Sequence, residues 1–409
     1  MATSTIDFSD ITQDIVEGSL AEIPYVGHIL SDLTGTLWPG ADNEVWNEVY
    51  SQVEAMVEQA LNTTVYNNMQ SALSGLNGDI NDYLNAVEND GDVATYWAAT
   101  EEIFDNQLPL FQTTGYEVLL LPLFAQAVNL YFSLLRDGVL FGTTWGWSTT
   151  FQQSIASKLT AAIPTYVDYA KVYFTQGVGQ MAAKTGSNNH DCEPFKTVNQ
   201  YVRYMTLSVS DYGQLWPFLD PTAYPNPVAV HLGREIYSDP VGTCDDSGNI
   251  VLPNGPAKPP NQITVWAWDR IDAVQLTYPS GQGPGAVTKT ARMGDSNGGS
   301  NQPPHGGVYD VSSNPVVVAN GAAGDILNAF NFTFKDGTTT GKLGGNDATG
   351  GSGTGFSFSY TGHILSSIHI NGVSDYYGSA DCAVFGFKYA EPGTSAEVVE
   401  IPLGWTTVT

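Results

Sequence analysis

A chain of 409 residues with 14 Lys and Arg against 42 Asp and Glu carries a formal charge of −28. Nothing clusters to neutralise phosphates, so nucleic acid is excluded as a partner, and unaided electrostatic attraction to anionic lipid is excluded with it. The length favours two or three domains, and 42% hydrophobic residues are ample for buried cores.

Residues 1–10 hold neither a basic nor a long apolar segment, so no secretory signal is expected and the protein is read as made in soluble form. Helical spacing then begins. Val45, Val49, Val53, Met56, Val57, Ala60 and Leu61 share a stripe, and Leu73, Leu76, Ile80, Tyr83, Leu84 and Val87 repeat it. Asp92 is placed to cap a third helix in which Trp97, Thr100, Phe104 and Leu108 share one face, before Pro109. Its other side carries Glu101, Glu102 and Asp105, which are expected on a solvated bundle surface.

From Val118 to Leu135 the chain reads VLLLPLFAQAVNLYFSLL, and Arg136 just after it is the first Lys or Arg in the protein. At ~1.5 Å per residue this run makes a helix of roughly 27 Å, near the thickness of a bilayer's hydrocarbon core. Its eleven Leu, Phe and Val residues favour insertion by about −3 to −7 kcal/mol in total. Gln126, Asn129 and Ser133 oppose it, and their spacing of three and four puts them on one helix face. Two fates stay open: the central helix of a water-soluble bundle, or a helix that crosses a membrane once something satisfies the polar stripe. Pro122 is placed near the helix start, where a missing N–H costs least.

Further helical stripes follow in Phe151, Ile155, Leu159, Ala162 and Tyr166, and in Tyr201, Met205, Ser208, Tyr212 and Leu215. The three cysteines, Cys192, Cys244 and Cys382, are widely spaced and odd in number; free thiols are expected, with a Cys192–Cys244 pair as the alternative. His190, Asp191, Cys192 and Glu193 are consecutive in a polar loop, an arrangement that does not read as a metal site, and no cofactor is expected.

Asp, Gly and Pro crowd residues 239–260, and 243–260 read as a linker between a helical domain, 1–242, and a β domain, 261–409. Beyond it the period becomes two. Val274, Leu276 and Tyr278 alternate with Ala273, Gln275 and Thr277, and Phe330, Phe332 and Phe334 alternate with Asn331 and Thr333. Phe356, Phe358 and Tyr360 give another strand, followed by Ile364, Ile368 and Ile370. Gly-rich breaks divide the region into three hairpin-bearing parts. No Ser nucleophile elbow, phosphate-cradling loop or paired Cys-His spacing is present in the sequence, so an enzyme is not expected.

AEIPYVG (21–27), LWP (37–39), QVE (52–54) and above all YEVLLLPLFAQAVNLYFSLLRDGVLFG (116–142) resemble the first domain of the bacterial three-domain insecticidal delta-endotoxins. YVDYA (166–170), VRYMTL (202–207) and GREIYSDP (233–240) extend the likeness across residues 15–242. It implies a seven-helix bundle around a central hydrophobic helix. That helix and the preceding one, about 93–137 together, would leave the bundle as a hairpin, insert into a target membrane and oligomerise into a pore. Val118, Leu121, Phe124, Gln126, Asn129, Leu130, Ser133 and Leu135 then belong to the inserting helix, and Glu101, Glu102 and Asp105 are suited to line a water-filled lumen.

IDAVQLTY (271–278), ILNAFNFTFKDG (326–337) and HILSSIHING (363–372) resemble the family's middle domain and jacalin-like β-prism lectins. The likeness implies a three-sheet prism that binds a receptor or glycan on gut cells. Gly378-Ser379-Ala380-Asp381 is one residue short of the lectins' sugar-loop spacing, and Tyr376 and Tyr377 are candidates to stack on a sugar or to close a hydrophobic edge. The sequence departs from the family twice. About 150 residues follow the linker, enough for the prism without the usual third domain. No trypsin-like cut is available before Arg136, so either another protease activates the protein or no trimming is needed. The expectation is an insecticidal pore-forming toxin, made soluble or crystal-stored and acting outside the target cell; the alternative is a defence or storage lectin whose helical domain mediates assembly.

Overall fold

The computed structural model describes residues 34, 37–38, 44–89, 91–184, 192–226, 228–244, 250, 252, 255–345, 353–373, 378–390, 398–401 and 404–405. The described residues of Met1–Met181, Tyr204–His231 and Pro392–Ile401 form one compact unit, and those of Ala182–Arg203, Leu232–Glu391 and Pro402–Thr409 the other.

The first unit is helical. Its elements are α1 (Glu44–Val57), α2 (Thr63–Glu88), α3 (Val93–Gln107), a 3₁₀ turn (Leu108–Gln112), α4 (Glu117–Phe141) and α5 (Thr149–Lys184). After α6 (Glu193–Met205), which belongs to the second unit up to Arg203, the first unit resumes with a π-turn (Thr206–Ser210) and α7 (Asp211–Leu215). Side-chain caps start two helices: Asn62 accepts from the Val65 N–H, and Asp92, as the spacing predicts, accepts from the Thr95 N–H. The apolar stripes are the buried faces, with Leu73, Leu76, Ile80 and Tyr83 of α2 and Trp97, Thr100 and Phe104 of α3 all inside. α1 stops at Val57, so Ala60 and Leu61 fall beyond its stripe, and Phe151 on the first turn of α5 is 44% exposed.

α4 lies at the centre. Every residue from Val118 to Gly138 is buried, and among the described residues it is the one helix long and apolar enough to cross a membrane. Pro122 is not at its edge. Counted from Glu117 it is the sixth residue, inside the helix, where its ring removes the N–H that would bond the Val118 carbonyl. Close approach is set by Gly138: a Cβ there would lie 2.8 Å from the Trp97 ring, whose Nε1 donates to the Leu134 carbonyl at 2.7 Å.

The second unit is a β-prism of three four-stranded sheets. β4 (Gln262–Ala267), β5 (Ile271–Thr277), β6 (Met293–Gly294) and β7 (Gly307–Asp310) form one, in the order β6-β5-β4-β7. β8 (Val316–Ala323), β9 (Leu327–Phe334), β10 (Leu343–Gly344) and β11 (Thr354–Phe358) form the next, in the order β10-β9-β8-β11. In the third, β12 (His363–Val373) pairs with β13 (Ala380–Tyr389), which also carries β2 (Glu235–Tyr237) and β3 (Val241–Gly242). Alternation sends Val274, Leu276, Phe330 and Phe332 inward. The sheets meet on aromatic rings, with Phe385 5.5 Å from Phe330 and 5.7 Å from Phe356. The register shifts between Leu365 and Ser367, a β-bulge in β12 that reverses the alternation, so Ile364 and Ile368 fall on opposite faces although their spacing is even. In the first unit β1 (Ala229–Leu232) pairs with β14 (Val398–Ile401), and His231 Nδ1 lies 3.0 Å from Glu400.

The expectation of free thiols at Cys192 and Cys244 is corrected. The two are joined by a disulfide with their Cα atoms 5.5 Å apart. Wide spacing along the chain concealed that the start of α6 and the end of β3 are neighbours in space. Cys244, Ile250 and Leu252, from the stretch read as linker, are buried with Phe195, Tyr237 and Val384.

Candidate functional site

Gln126, Asn129 and Ser133 lie on one face of α4, and each is satisfied. Gln126 Nε2 donates to the Ser208 carbonyl at 3.0 Å, on the π-turn that replaces the regular helix expected over 201–215. Asn129 Nδ2 donates to Gln126 Oε1 at 3.0 Å, and its Oδ1 accepts from Trp216 Nε1 at 2.6 Å. Ser133 bonds back to the Asn129 carbonyl of its own helix. Polar groups in a core of this apolarity are tolerated because none of these three is left without a partner. Val118, Leu121, Phe124, Leu130 and Leu135 pack around the stripe with 3% exposure or less.

Beyond the stripe, Arg136 Nη1 donates to the Leu219 carbonyl at 3.1 Å, and Tyr83 donates to Asp137 Oδ2 at 2.9 Å. The first basic residue of the chain is thus buried where α4 ends, with 2% exposure.

The acidic face of α3 differs from a plain solvated surface. Glu102 is exposed, but Lys158 of α5 reaches across to bond Glu101 and sits 2.7 Å from Asp105 Oδ2. Tyr131 of α4 donates to the other oxygen of Asp105 at 2.8 Å. One lysine and one tyrosine therefore tie α3, α4 and α5 together. Burial lowers the affinity of Lys158 for its proton, but bonds to Asp105 and Glu101 outweigh that and hold its pKa above the ordinary 10.5. Neither partner was legible beforehand, since Lys158 follows Glu101 by 57 residues.

In the prism, Gly378 and Ser379 immediately precede β13 and Asp381 is its second residue, while Tyr376 and Tyr377 lie outside the described residues. Ser379 is buried; Gly378 takes a left-handed φ of +63°, with Asp295 the near neighbour. Asp381 packs against Gly372, where a Cβ would come within 2.8 Å of its carboxylate. Deeper in, the bulge turns the consecutive Ser366 and Ser367 onto one oxygen of Glu235, and Tyr237 donates to the other at 2.7 Å. Burial raises the Glu235 pKa, against the hydroxyl donors and nearby Lys388 that lower it. No spacing pattern in the sequence signals this cluster.

The model of the delta endotoxin N-terminal domain matches residues 15–220. Among curated proteins the chain is 30% identical over 250 residues to the pesticidal crystal protein Cry26Aa of Bacillus thuringiensis subsp. finitimus, covering 58% of this chain and 21% of that one. It is 32% identical over 234 residues to the pesticidal crystal protein Cry1Id of Bacillus thuringiensis, covering 54% and 32%. The chain therefore spans only a fifth to a third of the length of these relatives. Among solved structures, the insecticidal crystal protein Cry7Ca1 of Bacillus thuringiensis superposes with a TM-score of 0.79 at 18% identity, over 96% of this chain and 76% of that one. PirB superposes with a TM-score of 0.71 at 17% identity, over 96% of this chain and 97% of its own. At these identities the superpositions show a shared fold.

Proposed function

The chain belongs to the delta-endotoxin family through its N-terminal domain, and from that premise we propose that it is an insecticidal pore-forming toxin. Residues 261–409 bind a receptor or glycan on the surface of gut epithelial cells, with Tyr376, Tyr377, Gly378, Ser379 and Asp381 as the candidate contact residues. Residues 1–242 then release the α3–α4 hairpin, about 93–137, into the membrane, where copies assemble and Glu101, Glu102 and Asp105 face the lumen. The protein acts from outside the target cell.

The observation that carries this reading is α4 itself: a helix long and apolar enough to cross a membrane, with every residue from Val118 to Gly138 enclosed in the bundle. Enclosure alone is what any core helix shows. The polar stripe makes the difference, because Gln126 and Asn129 each make one hydrogen bond to a group outside α4, Ser208 and Trp216, and partner helices or pore water can replace those groups. The acids of α3 give the neighbouring helix the polar face that a lumen requires.

Release of an encapsulated dye from vesicles bearing gut-cell surface components tests the proposal. Leakage at low toxin concentration supports it; intact vesicles, also after treatment of the protein with gut proteases, exclude it and favour a purely carbohydrate-binding role.

A further inference from the structure

The Sγ atoms of Cys192, Cys244 and Cys382 lie within 4.8 Å of one another, and all three residues are buried. Cys192 and Cys244 form the disulfide, and Cys382 Sγ stands 3.9 Å from Cys244 Sγ, van der Waals contact for two sulfurs. Phe195, Tyr237, Ile250, Leu252 and Val384 enclose the group. The three groups that thiol–disulfide exchange requires are thus together; with every pair of sulfurs within 4.8 Å the third stands beside the bridge, so Cys382 Sγ must turn onto the line of the Cys192–Cys244 bond before a thiolate attacks one sulfur and the other leaves.

We infer that the three cysteines form an exchange relay with two alternative bridges. Deprotonated Cys382 Sγ attacks Cys244 Sγ. A Cys382–Cys244 bond forms as the Cys244–Cys192 bond breaks, and the electron pair leaves on Cys192 Sγ, which takes up the proton that Cys382 gave up. Nothing is oxidised or reduced overall, so no outside oxidant is required.

Cys244 neighbours both the head of α6 and β13. Cys192 immediately precedes α6, and its carbonyl accepts the Lys196 N–H at 2.8 Å to begin that helix. Cys244 leaves β3, whose Gly242 stands opposite Cys382 in the ladder, and the Thr243 N–H extends the pairing to the Asp381 carbonyl. The observed bridge staples the head of α6 to the sheet. The alternative closes within the sheet, between segments the ladder already holds side by side.

Exchange therefore frees the start of α6 without unfolding the prism. The middle of α6 stays attached through Asn199 Nδ2 to the Tyr237 and Ser238 carbonyls and through Arg203 to Asp239 at 2.7 Å. Burial in an apolar cage disfavours the attacking thiolate, so the relay is slow and each bridge can be trapped.

The test uses the full chain and does not depend on toxicity. Wild-type protein is incubated at pH 8.5 without added thiol, quenched in acid, unfolded in the presence of N-ethylmaleimide and mapped by mass spectrometry. Immediately after purification the label is expected on Cys382; on incubation it shifts progressively to Cys192 while one disulfide per chain is retained. In the Cys192→Ser variant, oxidised glutathione is expected to close a Cys244–Cys382 bridge. Label that stays on Cys382 in the wild type throughout overturns the relay, as does a Cys192→Ser variant that folds yet keeps two thiols. A Cys382→Ser variant in which Cys192 still becomes labelled overturns it too.

Discussion

Trp216 Nε1 and Asn129 Oδ1 meet at 2.6 Å in the middle of the helical unit, 87 residues apart in the chain. That bond joins the most apolar helix to the segment that closes the unit, and it uses one of the few polar atoms α4 possesses. Asn129 also donates to Gln126, so one side chain links the stripe to its surroundings.

Replacing Asn129 by Leu removes both bonds at nearly constant volume. Trp216 Nε1 and Gln126 Oε1 are then buried without these partners, which should cost about 2–3 kcal/mol. A fall in the urea midpoint with an unchanged slope is expected. The same change makes α4 more apolar, so the soluble form loosens while the inserted form gains; N129L should release dye at a lower concentration than wild type.

Lys158→Met unties Glu101 and Asp105 from α5. The pair is about one-third exposed on the lysine side, so solvent screening limits the loss to about 0.5–1.5 kcal/mol. Since the folded-state pKa of Lys158 is raised above 10.5, its contribution is fully present below that pH and disappears as pH rises through the higher folded value. Thermal melts should show wild type losing stability above about pH 10.5, with K158M lacking that loss. Dye release by K158M should be faster.

Two groups in the prism oppose each other between pH 4 and 6.5. Burial pushes His369 down to about 4 from 6.5, so the unfolded chain binds the extra proton first and this residue makes stability fall as pH drops through that window. Burial pushes Asp272 up to about 6 from 3.8, with Asp295 adding to the rise against the Trp268 N–H and the arginines; the folded chain holds that proton longer, and stability falls as pH rises instead. Asp272→Asn should therefore steepen the acid-side loss of stability and His369→Gln should flatten it, as read from denaturation midpoints at pH 4, 5 and 6.5.

Trypsin should leave the first 135 residues uncut under native conditions. The first basic residue is Arg136, which is buried with its guanidinium on the Leu219 carbonyl. Intact-mass analysis after digestion checks this, and early fragments ending at Arg136 would contradict it.

Much of the fold could be read from periodicity. The stripes of α2 and α3 and the alternation of β5 and β9 are single-element patterns, and each element buries the face its own spacing selects. The prism's three-part division was marked by glycines, including Gly294 and Gly344, which take left-handed φ values at strand positions. What stayed hidden depends on meetings between distant segments: Lys158 with Glu101, Trp216 with Asn129, and Cys192 with Cys244. The inward position of Pro122 and the π-turn at Thr206–Ser210 were hidden for a different reason. Both are local departures from helix geometry that tertiary packing supports and propensity does not forecast.

On binding, α3 and α4 are proposed to leave the bundle together for the membrane. Protease protection measures this directly: toxin bound to receptor-bearing vesicles is digested with proteinase K, and the fragments that stay with the lipid are identified by mass spectrometry. A retained fragment spanning Val93–Phe141, absent when vesicles are omitted, is expected. Complete digestion of that segment alongside dye release, or retention of a different segment in its place, would contradict it.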